Sequence, residues 1–301
     1  MRVLSSRRFP GPAWEALDDV EIVEWPLRET RPDAEVLAVV AATVDDAVLD
    51  LLPRLRLVAN YGVGYDGVDV EACVRRGIAV TNTPEALGVT TADLTLALIL
   101  AVRRRIVAGD RLVREGRWGA DWDAGALMGD EIGGATLGLV GFGRIARAVA
   151  ARAQAFGMTV VYTRRSATRD EMFEFLPLED LLRKSDIVSI HVPLTPETTG
   201  LIDARRLALL RDGACLINTA RGAIVDEPAL VGELVSGRIH AGLDVFVDEP
   251  NVPAELLDLP NVVLLPHVGS ATPGTREAAT AELVANIRAA LDDRPLPNRV
   301  A

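Results

Sequence analysis

The sequence predicts an α/β protein of two domains, each a doubly wound parallel sheet, and three observations carry that prediction. The chain has 301 residues, room for two domains at about 150 residues each. Through the first 82 residues short β-branched runs alternate with helical stretches, and strand followed by helix, repeated, gives a parallel sheet covered on its faces. After a long helical stretch the alternation restarts at Thr136 with stronger strands.

Taken in order, residues 2–4, 21–24, 37–42, 57–60 and 78–81 read as the strands of the first sheet. One helix is expected from Thr91 to about Glu115, with Thr90 and Asp93 spaced as a capping box and Gly116 as the stop. At 1.5 Å per residue it would run roughly 37 Å, enough to pass from one domain to the other. A loop holding Trp118, Trp122 and several glycines follows. The second set of strands is residues 137–140, 159–162, 187–192, 214–218, 241–245 and 262–265, a spacing that suits a nucleotide-binding sheet. The last helix is expected over about 276–291, ending before Pro295, with the tail back on the first domain. The domains are thus expected at residues 1–96 with 285–301, and at 97–284.

Composition removes several classes of function. Against 43 acidic residues stand 32 basic ones, a net charge of −11, and a nucleic-acid binder needs a basic face. Only Lys184 among the cations is a lysine, so a lone arginine carries little information. Cys73 and Cys215 are the only cysteines, which excludes a disulfide framework and points to a reducing cytoplasm. The longest apolar run, residues 94–102, is broken only by Thr95 and reaches about half the length a membrane helix needs. Residues 1–12 contain no apolar segment of the secretory type. A soluble cytoplasmic protein without nucleic-acid or membrane partners is expected.

The pattern Gly-x-Gly-x-x-Gly/Ala occurs twice, at Gly62, Gly64, Gly67 and at Gly141, Gly143, Ala146. Charge separates the two, because a pyrophosphate sits on the backbone N–H groups that open the following helix. Asp66 and Asp69 stand beside that position in the first match and would repel it, whereas the second follows a strand and offers Arg144 and Arg147 with no acid. The loop of Gly141, Phe142, Gly143, Arg144 and Ile145 is therefore the expected dinucleotide site. An NAD-specific fold carries Asp or Glu about 20 residues on, to hold the ribose 2′-hydroxyl. Here Thr163, Arg164 and Arg165 end the second strand, a set that suits a 2′-phosphate, so NADP(H) is expected to be preferred, with NAD(H) possible.

Ligands of an open α/β sheet bind beyond the carboxyl ends of its strands, and there this sequence puts Thr163, Thr219, Arg221, Asp244 and His267. Arg221 can grip a carboxylate with its planar fork. His267 can transfer a proton near neutral pH, and Glu249 is placed in sequence to pair with it. His191 and His240 are weaker candidates, at a strand end and a strand entry. No cluster has metal-ligand spacing, and no nucleophile elbow is present.

Together these residues resemble the D-isomer-specific 2-hydroxyacid dehydrogenase family. The stretches that carry the resemblance are residues 60–66 (Asn-Tyr-Gly-Val-Gly-Tyr-Asp), Thr83-Pro84-Glu85 with Thr91-Ala92-Asp93, the Gly141 loop, residues 191–196, 218–222, 242–250 and 266–270. They stand in family order over almost the whole chain and look closest to its glyoxylate and hydroxypyruvate reductase branch. The resemblance implies a flavodoxin-like substrate domain and a Rossmann dinucleotide-binding domain on either side of a cleft. It implies that Arg221 binds the substrate carboxylate and carbonyl, that His267 is the acid/base, and that Glu249 orients and charges the histidine. Backbone N–H groups of Val63 and Gly64 would hold the substrate carboxylate as an anion nest. Asp244 would face the nicotinamide amide, and Thr91, Val192, Pro193, Thr198, Thr219, Ala220 and Gly269 would join Arg221 and His267 along the cofactor. The branch implies reduction of a small 2-oxo acid by a homodimer, with the helix from Thr91 and the loop of residues 118–129 as the contact. Phosphoglycerate, D-lactate and phosphonate dehydrogenases stay open as alternatives, as does a dinucleotide-sensing corepressor-like scaffold; Glu249 counts against a formate enzyme, which protonates no alkoxide.

Overall fold

The computed structural model describes residues 2–86, 88–119, 123–165 and 172–301, so Trp122 of the expected loop lies outside them. The chain divides into two compact units, one comprising residues up to Thr90 together with Ser270–Ala301, the other Thr91–Gly269. In the first unit β1 (Arg2–Ser5), β2 (Val20–Ile22), β3 (Ala34–Val39), β4 (Leu57–Asn60) and β5 (Ala79–Thr81) form one parallel sheet in the order β2-β1-β3-β4-β5. Helices α1 (Pro12–Glu15), α2 (Asp46–Asp50) and α3 (Val70–Arg75) connect its strands. The aspartates ahead of α2 and α3 cap them: Asp45 accepts from the Val48 N–H at 3.0 Å and Asp69 from the Ala72 N–H at 2.8 Å.

The expected helix from Thr91 to Glu115 is instead two helices, α4 (Gly88–Arg103) and α5 (Ile106–Arg114). The carbonyl of Arg103, which a continuous helix would bond to the Val107 N–H, accepts the Asp130 N–H at 2.8 Å, and Arg105 turns to φ 52°. A side chain at Gly129 would lie 2.2 Å from that carbonyl, so the approach requires glycine there. The expected capping box is not formed either. Thr90 lies inside α4 and bonds Thr275, while Asp93 pairs with Arg152 at 2.6 Å. The apolar surplus of α4 is core, since Ala92, Leu96, Leu98, Ile99 and Val102 are all buried. By contrast α5 buries none of its residues and exposes Ile106, Val107 and Val113.

In the second unit β6 (Thr136–Val140), α6 (Arg144–Ala155), β7 (Thr159–Thr163), β8 (Glu174–Phe175), α7 (Leu178–Lys184), β9 (Ile187–Ile190), α8 (Ala204–Leu207), β10 (Cys215–Asn218), α9 (Glu227–Val235), β11 (His240–Leu243) and β12 (Val262–Leu264) follow in turn. The strands make one sheet in the order β12-β11-β10-β9-β6-β7-β8, with every pair parallel. Because all run the same way, their carboxyl ends share one edge. Both faces are covered: along β10, Cys215 and Ile217 join one apolar cluster and Leu216 the other, as a doubly wound sheet requires. The two-residue β8 is beyond the six expected strands. α10 (Pro273–Leu291), capped by Thr272, starts three residues earlier than expected. It lies wholly in the first unit, where Leu283, Val284 and Ile287 pack with Val36, Leu57 and Ala59. Among the described residues no helix is long and apolar enough to cross a membrane.

At the centre of the larger sheet, Gly138 lets β6 sit against α7. A Cβ there would come within 2.3 Å of Ser185 Oγ and 2.5 Å of Leu181 Cδ2, both atoms of buried side chains. Gly138→Ala is expected to destabilise the unit by about 1–3 kcal/mol through overpacking, read as a lower urea midpoint with an unchanged slope.

Candidate active site

Each of the seven parallel strands of the larger sheet leaves a loop at its carboxyl edge. The first, after β6, carries Gly141 at φ 95°, where an added Cβ would lie 2.6 Å from the His191 carbonyl and 2.9 Å from Val192. Only glycine fits that turn. Gly143 then opens α6 with no side-chain cap and no acid in the first turn, which leaves the helix N-terminus as a place for an anion. The Phe142 ring turns into the core, stacked 4.1 Å from Tyr162, and the Arg147 guanidinium covers its other side at 4.6 Å. Phe142 therefore offers a ligand its backbone, and Ala146 is fully buried against the sheet. This cradle fits the pyrophosphate of a dinucleotide. At the Gly62 loop the corresponding helix start is filled by the capping carboxylate of Asp69, and a Cβ at Gly67 would press to 2.6 Å from the Ala42 carbonyl.

Thr163 ends β7 with its carbonyl accepting the Gly141 N–H at 3.0 Å, followed by Arg164 and the exposed Arg165. After β9, His191 bonds Ser189 Oγ at 2.9 Å through Nε2, and burial pushes it down to about 4. Thr198 closes the following turn, donating to the Pro193 carbonyl at 2.6 Å and accepting the Thr195 N–H at 2.8 Å. After β10, Asn218 holds the loop of Thr219, Ala220 and Arg221 from both sides, donating to the Arg221 carbonyl at 2.9 Å and accepting the Ala220 N–H at 3.0 Å.

Asp244, at the end of β11, is only 1% exposed. Its two oxygens accept the Val268 and Gly269 N–H groups at 2.8 Å each, and its carbonyl accepts the His267 N–H at 2.9 Å. Burial raises its pKa, and the two amide bonds oppose that rise. The first use of this carboxylate is therefore within the chain, shaping the turn that presents His267. That residue takes φ 52°, a conformation non-glycine residues seldom hold without such support. Its Nδ1 lies 2.7 Å from Glu249 Oε2, and Glu249 Oε1 accepts the Phe246 N–H at 3.1 Å. Nε2 has no partner among the described residues. Thr91 comes close to Gly269, and Thr95, one turn along α4, bonds both the Thr91 carbonyl and Thr219 Oγ1.

The structure thus gathers Arg221, Asp244, Glu249, His267, Gly269 and Thr91 within one unit. Val63 and Gly64 belong to the other, in the turn after β4. There the Gly62, Val63 and Gly64 carbonyls are taken by Thr83, Asn82 and Asn60, and the Val63 and Gly64 amides donate to nothing among the described residues. His240 enters β11 with its pKa lowered by burial, away from the loops. Sequence reasoning missed Asn218 and Thr95. The i, i+4 spacing of Thr91 and Thr95, the latter the single polar residue of the apolar run 94–102, was the available signal for the second.

Residues 96–269 match the family model of the D-isomer specific 2-hydroxyacid dehydrogenase NAD-binding domain. The chain belongs to this family. A glyoxylate reductase of Thermococcus kodakarensis is 44% identical over 98% of this chain and 94% of its own, and one of Pyrococcus furiosus 47% identical over 92% and 84%. An NADPH-dependent glyoxylate/hydroxypyruvate reductase of Sinorhizobium meliloti, solved with NADP and malonate, superposes with a TM-score of 0.92 at 36% identity, covering 100% of this chain and 96% of its own. This dehydrogenase is accordingly an NAD(P)-dependent oxidoreductase acting on a CH–OH group.

A buried neutral histidine binds its proton less well folded than unfolded, so the stability tied to His191 is complete above about pH 6.5 and lost as pH falls toward about 4. The gap corresponds to at most roughly 3 kcal/mol. Urea midpoints measured at pH 7 and 4.5 are expected to fall for the native dehydrogenase and to fall less for His191→Gln.

Proposed function

We propose that this dehydrogenase reduces small 2-oxo acids, glyoxylate and hydroxypyruvate before others, to D-2-hydroxy acids, with NADPH preferred to NADH. The observation that carries the reading is the 2.7 Å contact of His267 Nδ1 with Glu249, which leaves Nε2 as the atom able to exchange a proton with substrate. The names borne by the relatives support the substrate class. Gly141, Phe142, Gly143, Arg144 and Ile145 would hold the pyrophosphate, and Thr163, Arg164 and Arg165 the 2′-phosphate. Thr91, Val192, Pro193, Thr198, Thr219, Ala220, Asp244 and Gly269 would line the remainder. Bound there, a reduced nicotinamide supplies the hydride that a 2-oxo acid takes at its carbonyl carbon.

The chain's own residues do the rest. His267 gives its Nε2 proton to the carbonyl oxygen as charge develops on it, so hydride and proton together make the hydroxyl. Glu249 fixes the tautomer and the ring orientation by accepting the Nδ1–H hydrogen bond at 2.7 Å. Arg221 binds the carboxylate and stabilises the same oxygen, so it acts on both binding and barrier. Val63 and Gly64 are assigned to the carboxylate through their amides, on the family resemblance. A homodimer is supported by the exposed apolar face of α5, and light scattering on the purified protein tests it.

Initial rates at 340 nm with glyoxylate and hydroxypyruvate, each against NADPH and NADH, test the reading directly. Turnover at least tenfold better with NADPH is expected, and Arg164→Ala with Arg165→Ala should erase that margin; equal or better use of NADH discards the phosphate clamp. His267→Ala is expected to lower kcat by about two to four decades while NADPH binding, followed by fluorescence, survives. Near-normal turnover of that variant would overturn the acid/base assignment.

A further inference from the structure

We infer that Glu227, at the start of α9, is a positioning residue that sets the Glu249–His267 pair by holding the turn on which Glu249 stands. The inference rests on the reading of that pair as the proton-transfer machinery. Two carboxylates take two successive amides of this turn: Glu249 Oε1 accepts the Phe246 N–H at 3.1 Å, and Glu227 Oε1 accepts the Val247 N–H at 3.0 Å. The peptide between them lies flat on Gly222, where an added Cβ would come within 2.4 Å of the Phe246 carbonyl oxygen and the Val247 nitrogen. Gly222 follows Arg221 directly, so one contact fixes the separation of the arginine loop and the glutamate turn. Farther along, the turn closes on itself, with Asn251 bonding both the Asp248 carbonyl and its carboxylate.

The structural alternative for Glu227 is an ordinary acid in a first helical turn, favoured there by the helix dipole. Capping of α9, however, is already done by Asp226, which accepts the Ala229 N–H at 3.1 Å. Glu227 instead reaches a different element, beside a small cavity lined also by Asn218, Gly222 and Leu243. Val247 is 52% exposed, so water can replace the lost acceptor and the fold does not depend on the bond. What depends on it is the direction in which Glu249 meets His267 Nδ1. An outer partner that orients a reacting side chain in this way commonly governs its performance.

The test uses the full chain with Glu227→Asp, Glu227→Gln and Glu249→Gln. Glu227→Asp keeps the charge in the first turn but withdraws the oxygen, and Glu227→Gln keeps an acceptor at full length. Expected are a ten- to hundredfold fall in kcat for Glu227→Asp, with the NADPH dissociation constant unchanged, and recovery to within about threefold of native for Glu227→Gln. The chain has only three histidines, so the His267 Cε1–H resonance can be followed by NMR in the cofactor-free protein. Its titration in Glu227→Asp should move in the direction seen in Glu249→Gln. In the Glu249→Gln background, Glu227→Asp should cost less than a further twofold, as coupled residues require. If Glu227→Asp behaves like the native protein, or loses kcat with full additivity and an unmoved resonance, the inference is overturned while the assignment of Glu249 stands. If Glu249→Gln itself changes neither kcat nor the resonance, both fall together.

Discussion

The buried carboxylate of Asp244 is the constraint from which the rest of the site follows. Burial makes its charge costly, and that cost is offset only while the Val268 and Gly269 amides point at its two oxygens. Aiming two successive amides inward leaves the residue before them little freedom, and His267 sits at φ 52°. Gly269 can approach because it has no side chain; a Cβ would stand 3.2 Å from the carboxylate. The anchor itself is fixed by the sheet, since the Asp244 N–H bonds the Asn218 carbonyl at 3.0 Å, and Asn218 in turn holds the arginine loop. His267 and Arg221 are thus referred to the same pair of strands, β10 and β11.

Much of this was legible in the sequence because it depends on local chemistry. The two glycine loops differ in whether an acid stands at the following helix start. That difference is decisive in three dimensions, where Asp69 occupies one N-terminus as its cap and the other carries neither cap nor acid. Strand positions came through for the same reason: a strand buried on both faces must be apolar throughout, as in Cys215–Asn218 up to its final residue. The convergence of polar groups at one sheet edge follows from parallel order alone.

What stayed hidden was set by partners distant in sequence. Nothing local to residues 103–105 announces a helix break; it arises because Asp130 captures the Arg103 carbonyl. The last helix begins earlier than its apolar pattern suggests because Thr272 supplies the cap, its hydroxyl accepting from Thr275, and its whole length packs in the first unit. The role of Asn218 within the 218–222 stretch, and Glu227 altogether, escape motif reading for a further reason. Each acts through hydrogen bonds to backbone, and a backbone amide leaves no trace in the residue type that carries it.

The cysteines have a consequence of another kind. Cys73 lies in the core of one unit and Cys215 in that of the other, and burial pushes their thiols up to about 11 and about 12. The thiolate is the reactive species, so burial of both side chains works against their labelling at neutral pH. A cysteine introduced on the surface of either unit would then be the site most open to a maleimide dye. The native chain is thus a background suited to single-molecule distance measurements between its two halves without any prior replacement in the core.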